Sequence, residues 1–181
     1  MKERYFFILD CDGVLTDGSF YYDANGKCMK KFGRDDADGF KILKKLEDMG
    51  EVPHIEVHFC SSDFHGFDIT KKRVEDMGFT VDKVSVADRP DWIKKNFKSK
   101  NSTIFYMGDS FVDIPVFKTV DWSICPKNGD ELARDYADYV TDVDAGNGAV
   151  ADAIFWMIQN RLPTSFRSKS DIIDKVYGID E

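Results

Sequence analysis

Apolar positions along the chain change their period several times, and each change marks an element. Tyr5 to Leu9 is a continuous apolar run, too short for a membrane span and composed like a strand buried on both faces. Ser19 to Phe32 carries apolar residues on either side of Asn25-Gly26, the dipeptide favoured by a type I′ turn, and predicts a β-hairpin projecting beyond the strand ends. In residues 36–50, Phe40, Ile42, Leu43, Leu46 and Met49 fall near helical spacing before Gly50, which predicts a helix with a glycine cap. The alternation continues with strand 54–62, helix 69–78, helix 88–97 with a proline near its start, strand 102–109, a short helical segment 111–120, strand 121–126, helix 129–137, short strand 138–141 and helix 148–162.

Helices between strands imply crossover connections, hence a parallel sheet covered on both faces. The fold class is α/β, a doubly wound, Rossmann-like sheet with the hairpin as a flap. Residues 1–162 form one domain, and 163–181 a C-terminal tail whose segment "DIIDKVYGI" makes a short amphipathic helix or an arm toward a neighbouring subunit. A chain of 181 residues buries about 70% of its unfolded surface without disulfides or a structural metal.

Charge narrows the function classes. With 33 acidic and 25 basic side chains, a net charge of −8 disfavours long nucleic acid as a partner while leaving room for a local basic pocket. Cys11, Cys28, Cys60 and Cys125 form no Cys-x-x-Cys pair, and three of them lie in apolar runs, so they read as free thiols of a reducing compartment rather than a zinc site. No stretch approaches about 18 apolar residues and the N-terminus lacks a leader pattern, so the expectation is a cytoplasmic protein with no membrane partner.

Every strong polar cluster falls where a predicted strand ends: Asp10 and Asp12 after the first, Ser61, Ser62 and Asp63 after the second, Asp109 and Asp113 after the third. A parallel sheet brings those ends to one edge, where ligands of such sheets collect. Carboxylates so close call for a hard divalent cation, and Mg²⁺ uses one or two carboxylates while keeping waters and a substrate phosphate. Asp10 can attack phosphorus, Asp12 can give and take the proton, and Gly13 lets the chain turn away and leaves room for the phosphate. The structural alternative is that the aspartates cap a strand-end turn and the serines a helix start.

"DCDGVLTDG" and "GDSFVD" together resemble the haloacid dehalogenase superfamily of phosphatases, and with "YYDANGKCMKKF" and "ADYVTDVDAGNGAVADAI" they resemble its small capless branch. That branch includes phosphatases of octulosonate 8-phosphate and nonulosonate 9-phosphates. The resemblance implies a Mg²⁺-dependent phosphomonoesterase with Asp10 as nucleophile and Asp12 as acid/base. The metal site would comprise Asp10, the Asp12 carbonyl, Asp109, and Asp113 as a ligand or a partner behind the ligands. It matches Ser61 to the hydroxyl that binds phosphoryl oxygens, with Ser62 as competitor. It also implies a homotetramer in which hairpins help to cover the site.

Two departures carry information. The superfamily usually places a lysine before the strand bearing "GD"; here Arg89 is best placed, with Lys83 as the other candidate and an exposed helix start as the bland reading of Arg89. Relatives acting on octulosonate phosphate tend to have Thr-Gly-Arg where this chain has Ser61-Ser62-Asp63, and an acidic Asp63 disfavours an anionic group there. Lys27, Lys30 and Lys31 either present positive charge toward an acidic sugar phosphate or, the better reading, form a solvated hairpin edge, whereas Arg34 and Asp36 are pocket candidates. His58 reads as packed within its strand, and the three tryptophans as core or interface. Two other readings are a nucleotide or polynucleotide-end phosphatase and a catalytically weak assembly module.

Overall fold

The structure is a computed structural model that describes residues 3–179. Six parallel strands lie in the order β5-β4-β1-β6-β7-β8: β1 Arg4–Asp10, β4 Ile55–Ser61, β5 Val81–Lys83, β6 Ser102–Met107, β7 Trp122–Cys125 and β8 Tyr139–Val140. The apolar run thus forms the strand flanked by β4 and β6, and all but its first residue is buried. Strands β2 (Thr16–Asp23) and β3 (Gly26–Phe32) form a separate antiparallel hairpin.

Alternate residues of β1 feed two cores. Phe7 and Leu9 pack with Phe40 and Leu43 of α1 (Asp35–Asp48), Val74 of α2 (Phe67–Asp76) and Ile154 of α6 (Ala149–Asn160). Phe6 and Ile8 face the other way, onto Ile93 of α3 (Arg89–Asn96), Val116 of α4 (Ile114–Phe117) and Ala133 of α5 (Glu131–Tyr136). Helices on both faces of a parallel sheet are the doubly wound architecture the pattern predicts.

Several local expectations change. β5 was not foreseen, because three residues at a sheet edge are too few to set up a period. The Asn25-Gly26 turn is not type I′, since that turn needs positive φ at both central residues and among the described residues only glycines have it. Gly26 already pairs with Asp23 in the ladder, so the loop residues are Ala24 and Asn25; Gly26 takes φ of 122° and the Asp23 carboxylate accepts the Asn25 N–H at 2.7 Å.

The tail does not trail away. Helix α7 (Lys169–Tyr177) buries Ile172 and Val176 in the same core as α1, Lys175 pairs with Glu51 at 2.7 Å, and Lys45 donates to the Val176 carbonyl. Its apolar stripe is therefore satisfied within its own chain. Among the described residues no helix is long and apolar enough to cross a membrane.

Candidate active site

Strand register sets the site. Asp10 lies opposite Cys60, one residue before the end of β4, and Leu9 lies opposite Met107, the last residue of β6. The residues after β1 and β6 therefore emerge at one level. After Asp10 the chain makes a tight turn in which the Leu15 and Thr16 N–H groups donate to the Cys11 carbonyl, and the buried Thr16 hydroxyl accepts from the Gly13 (3.0 Å) and Gly18 (3.3 Å) N–H groups. The threonine of "DGVLTDG" thus ties the turn internally.

Carboxylate oxygens of Asp10, Asp109 and Asp113 lie within 4.8 Å of one another. A guanidinium, itself 1% exposed, reaches into this group from the first residue of α3: Arg89 Nη1 donates to Asp10 Oδ2 (2.9 Å) and Asp113 Oδ1 (2.8 Å) and lies 2.7 Å from the Tyr106 hydroxyl. Tyr106 donates to Asp113 Oδ1 at 2.6 Å, and Asp113 Oδ2 accepts from the backbone N–H groups of Asp109 and Ser110. Asp113 is fully engaged by protein donors, a placement that suits a support behind the cluster better than an open ligand. Arg89 is no exposed helix start, and Lys83 lies instead over the rings of Phe64 (4.9 Å) and Phe67 (4.7 Å).

Three carboxylates against one guanidinium leave the cluster at −2 when ionised. Burial, followed by the negative charge of Asp10 and Asp113, pushes Asp109 up to about 8; burial pushes Asp10 up to about 7, with Arg89 opposing and Asp113 adding to it. A hard divalent cation is the species that relieves that crowding, so the donor set fits Mg²⁺ held by oxygens of Asp10 and Asp109.

Gly13 is fixed by this packing. Its φ is +79°, and a Cβ there would sit 2.0 Å from Asp109 Oδ2. The room it leaves is taken by the Asp109 carboxylate. Gly13→Ala is expected to cost about 2 kcal/mol or more in stability and to displace Asp109, a loss readable as a lower melting temperature together with weakened metal binding by calorimetric titration.

Asp12 faces a different set of groups. Lys30 of β3 has its ammonium 2.7 Å from Asp12 Oδ1 and 2.9 Å from Oδ2, and it also reaches Asp63 Oδ2 and Thr70 Oγ1, each at 2.7 Å. Lys27 joins Asp63 at 2.5 Å, with its ammonium 3.5 Å from the Phe20 ring centroid. These two lysines are buried ion-pair partners, not a solvated edge; only Lys31 keeps a half-exposed side chain, with Asp17 at 3.2 Å. Burial alone would raise Asp63, but the two ammonium groups and the Gly66 N–H hold it well below the usual carboxylate range. Its charge is spent inside the protein, so it does not act as the unpaired repulsive group expected from the sequence.

Ser61, the last residue of β4, is buried and its hydroxyl accepts the Asp63 N–H at 3.1 Å; Ser62 is half-buried. Both stay at the strand end beside the acidic groups, with Ser61 partly occupied in the local turn. Arg34 does not join the site: its side chain is 93% exposed and pairs with Asp35. Asp36 is buried and accepts the Val150 N–H at 3.0 Å, tying α1 to the start of α6. His58 packs against Phe97, with ring centroids 4.6 Å apart. A cavity of about 570 Å³ between α1 and α2 shares no lining residue with the acidic cluster.

Thr70 and Tyr106 were missed, and Lys30, expected at the hairpin edge or facing substrate, is instead buried on Asp12, Asp63 and Thr70. Tyr106 sits inside an apolar strand run where nothing but its hydroxyl separates it from a core filler.

A doubly wound sheet that gathers carboxylates from two adjacent strand ends around one buried guanidinium has the site of a doubly wound α/β enzyme, at the carboxyl ends of its strands. The chain belongs to the haloacid dehalogenase-like hydrolases, whose family model matches residues 29–154. The 3-deoxy-D-manno-octulosonate 8-phosphate phosphatase KdsC of Haemophilus influenzae is 28% identical over 177 residues, covering 96% of this chain and 89% of that protein. KdsC of Salmonella typhi is 31% identical over 80% of this chain and 74% of its own. A cobalt-bound structure of the Haemophilus influenzae phosphatase superposes with a TM-score of 0.67 at 30% identity, over 86% of this chain and 87% of that one. The Moraxella catarrhalis phosphatase, in complex with magnesium, phosphate and KDO, gives 0.68 at 25% identity over 88% and 89%.

Proposed function

We propose that the protein is a Mg²⁺-dependent phosphomonoesterase acting on a sugar-acid phosphate of the octulosonate 8-phosphate or nonulosonate 9-phosphate type. It would work as a cytoplasmic homotetramer whose hairpins cover the site. The observation that carries this reading is the arrangement at the end of β1: Asp10 in contact with Arg89 inside a cluster left at −2, and Asp12 two residues on, held apart by Lys30. The names of the relatives support the substrate class.

In this reading an Asp10 oxygen attacks phosphorus, the bond from phosphorus to the sugar oxygen breaks, and Asp12 gives its proton to that oxygen. Water then attacks the phospho-Asp10, Asp12 takes a proton from it, and the bond to Asp10 breaks to release phosphate. Arg89 holds Asp10 in line and offsets charge as the phosphoryl group arrives. The hydroxyls of Ser61 and Ser62 would flank the phosphoryl oxygens, Gly13 makes room for the Asp109 carboxylate rather than for the phosphate, and Asp63 contributes through its lysine pairs. Bound Mg²⁺, held by Asp10, Asp109 and the Asp12 carbonyl with Asp113 behind them, would offset charge on the phosphoryl oxygens.

Ser61-Ser62-Asp63 stands in place of Thr-Gly-Arg, and Lys27 and Lys30 are already paired with Asp63, so that point offers hydroxyl or amino groups of the substrate a partner and does not single out octulosonate within the class. A panel of octulosonate 8-phosphate, nonulosonate 9-phosphates, neutral sugar phosphates and mononucleotides tests this, each assayed with Mg²⁺ and with chelator. Metal-dependent release from sugar-acid phosphates, at least about tenfold above nucleotides in kcat/KM, is the expected result. Preference for nucleotides would move the substrate assignment, and silence across the panel from folded protein would favour an assembly module.

A further inference from the structure

Lys30 has so far appeared only as an ion-pair partner of Asp12 and Asp63. Its side chain is 0% exposed, although lysine is among the residues least often fully buried. It is the one buried residue of β3, which is otherwise half-buried or exposed. Its ammonium has three donors and three acceptors around it, Asp12, Asp63 and the Thr70 hydroxyl from α2. None is left for a phosphate, so Lys30 is not a phosphate ligand in this arrangement.

Charge separates this group from the metal cluster. Asp12 and Asp63 are balanced by Lys27 and Lys30, whereas Asp10, Asp109 and Asp113 face Arg89 alone. A buried ion pair of this kind contributes little to stability compared with apolar packing of the same volume. What it does fix is where the Asp12 carboxylate lies, turned toward the hairpin.

We propose that Lys30 is a positioning residue for the second half of the reaction: from the hairpin, it holds in place the Asp12 carboxylate that draws a proton from the water attacking phospho-Asp10. The inference rests on the reading of Asp10 and Asp12 given above. In that step the water oxygen bonds to phosphorus, the phosphorus bond to Asp10 breaks, and the water proton passes to Asp12. The hairpin then acts as part of the catalytic apparatus as well as a cover.

This role has a kinetic signature that a merely structural one lacks. With p-nitrophenyl phosphate, the departing nitrophenolate needs no proton, and kcat/KM reports only steps up to its release. Lys30→Met should lower kcat by roughly 30- to 100-fold and KM nearly in parallel, leaving kcat/KM within about threefold. A pre-steady-state burst approaching one nitrophenolate per site should appear as phosphoenzyme accumulates. Thr70→Val, which removes only the hydroxyl that steadies the ammonium, should give the same split at a smaller size and keeps the test open where Lys30→Met fails to fold.

A fall in kcat/KM equal to that in kcat, with no burst, from variants that melt normally, overturns the role of Lys30. Asp12→Asn and Asp10→Asn run alongside separate that outcome from failure of the underlying reading. If Asp10→Asn hydrolyses normally, the covalent reading is lost; if Asp12→Asn shows the burst and Lys30→Met does not, only the Lys30 proposal is lost.

Discussion

Asp10→Asn should fold as stably as the parent and lose hydrolysis of every phosphate ester by on the order of 10⁶-fold, the scale on which removal of a covalent nucleophile acts. The amide is nearly isosteric, and its oxygen can still accept the Cys11 N–H that Asp10 Oδ1 accepts at 2.7 Å. Arg89 keeps Asp113 and Tyr106 as partners, so no guanidinium is stranded in the interior. One negative charge leaves a cluster already crowded by burial, which offsets the lost ion pair. A neutral amide cannot form the acyl phosphate. The checks are steady-state hydrolysis of the substrate panel and a thermal melt; residual activity above about 1% from folded protein would remove Asp10 as nucleophile.

Much of this site was legible because strand ends are legible. The apolar run into Asp10, and the run into Gly108-Asp109, each announce where a buried strand stops, and a parallel sheet then aligns them. Arg89 was legible as a candidate because a cation was needed and few were near. The hairpin lysines were not. Which lysine turns inward depends on the register shifts between Thr16 and Phe20 and between Tyr21 and Tyr22, and on the docking of β3 against Thr70 of α2. Simple alternation cannot carry that information.

Arg34 and Asp36 failed for a related reason. Both lie at the start of α1, where a one-residue difference in helix rotation decides what each side chain meets. Arg34 went to solvent, while Asp36 found the Val150 N–H, a partner 114 positions away that no local pattern can specify. Asp63 carried a charge that the sequence showed and a neutralisation that it did not, since Lys27 and Lys30 arrive from 36 and 33 positions earlier in the chain.

The unbalanced acidic cluster has a consequence for stability. Carboxyls that stand near 3.8 when free are pushed to about 8 at Asp109, by burial and then the charges of Asp10 and Asp113, and to about 7 at Asp10, by burial with Arg89 opposing and Asp113 adding. Such groups bind protons more tightly in the folded state, so their contribution is favourable at low pH and is lost as pH rises from about 4 through about 8. Metal-free protein should therefore melt lower at about pH 8.5 than at about pH 6, and Mg²⁺ should restore more at the higher pH, where it no longer competes with protons. Asp109→Asn removes one of the charges responsible. In chelator at about pH 8.5 it should melt roughly 5 °C above the parent, the effect of about 2 kcal/mol in a chain of this size, while losing the stabilisation by Mg²⁺. Scanning calorimetry of both proteins, with chelator and with Mg²⁺, reads all four states. If Asp109→Asn melts below the parent throughout and still responds to Mg²⁺, Asp109 is a structural partner and the cation sits elsewhere; the opposite crossing, stabler without metal and indifferent to it, is what a site held together by a divalent cation requires.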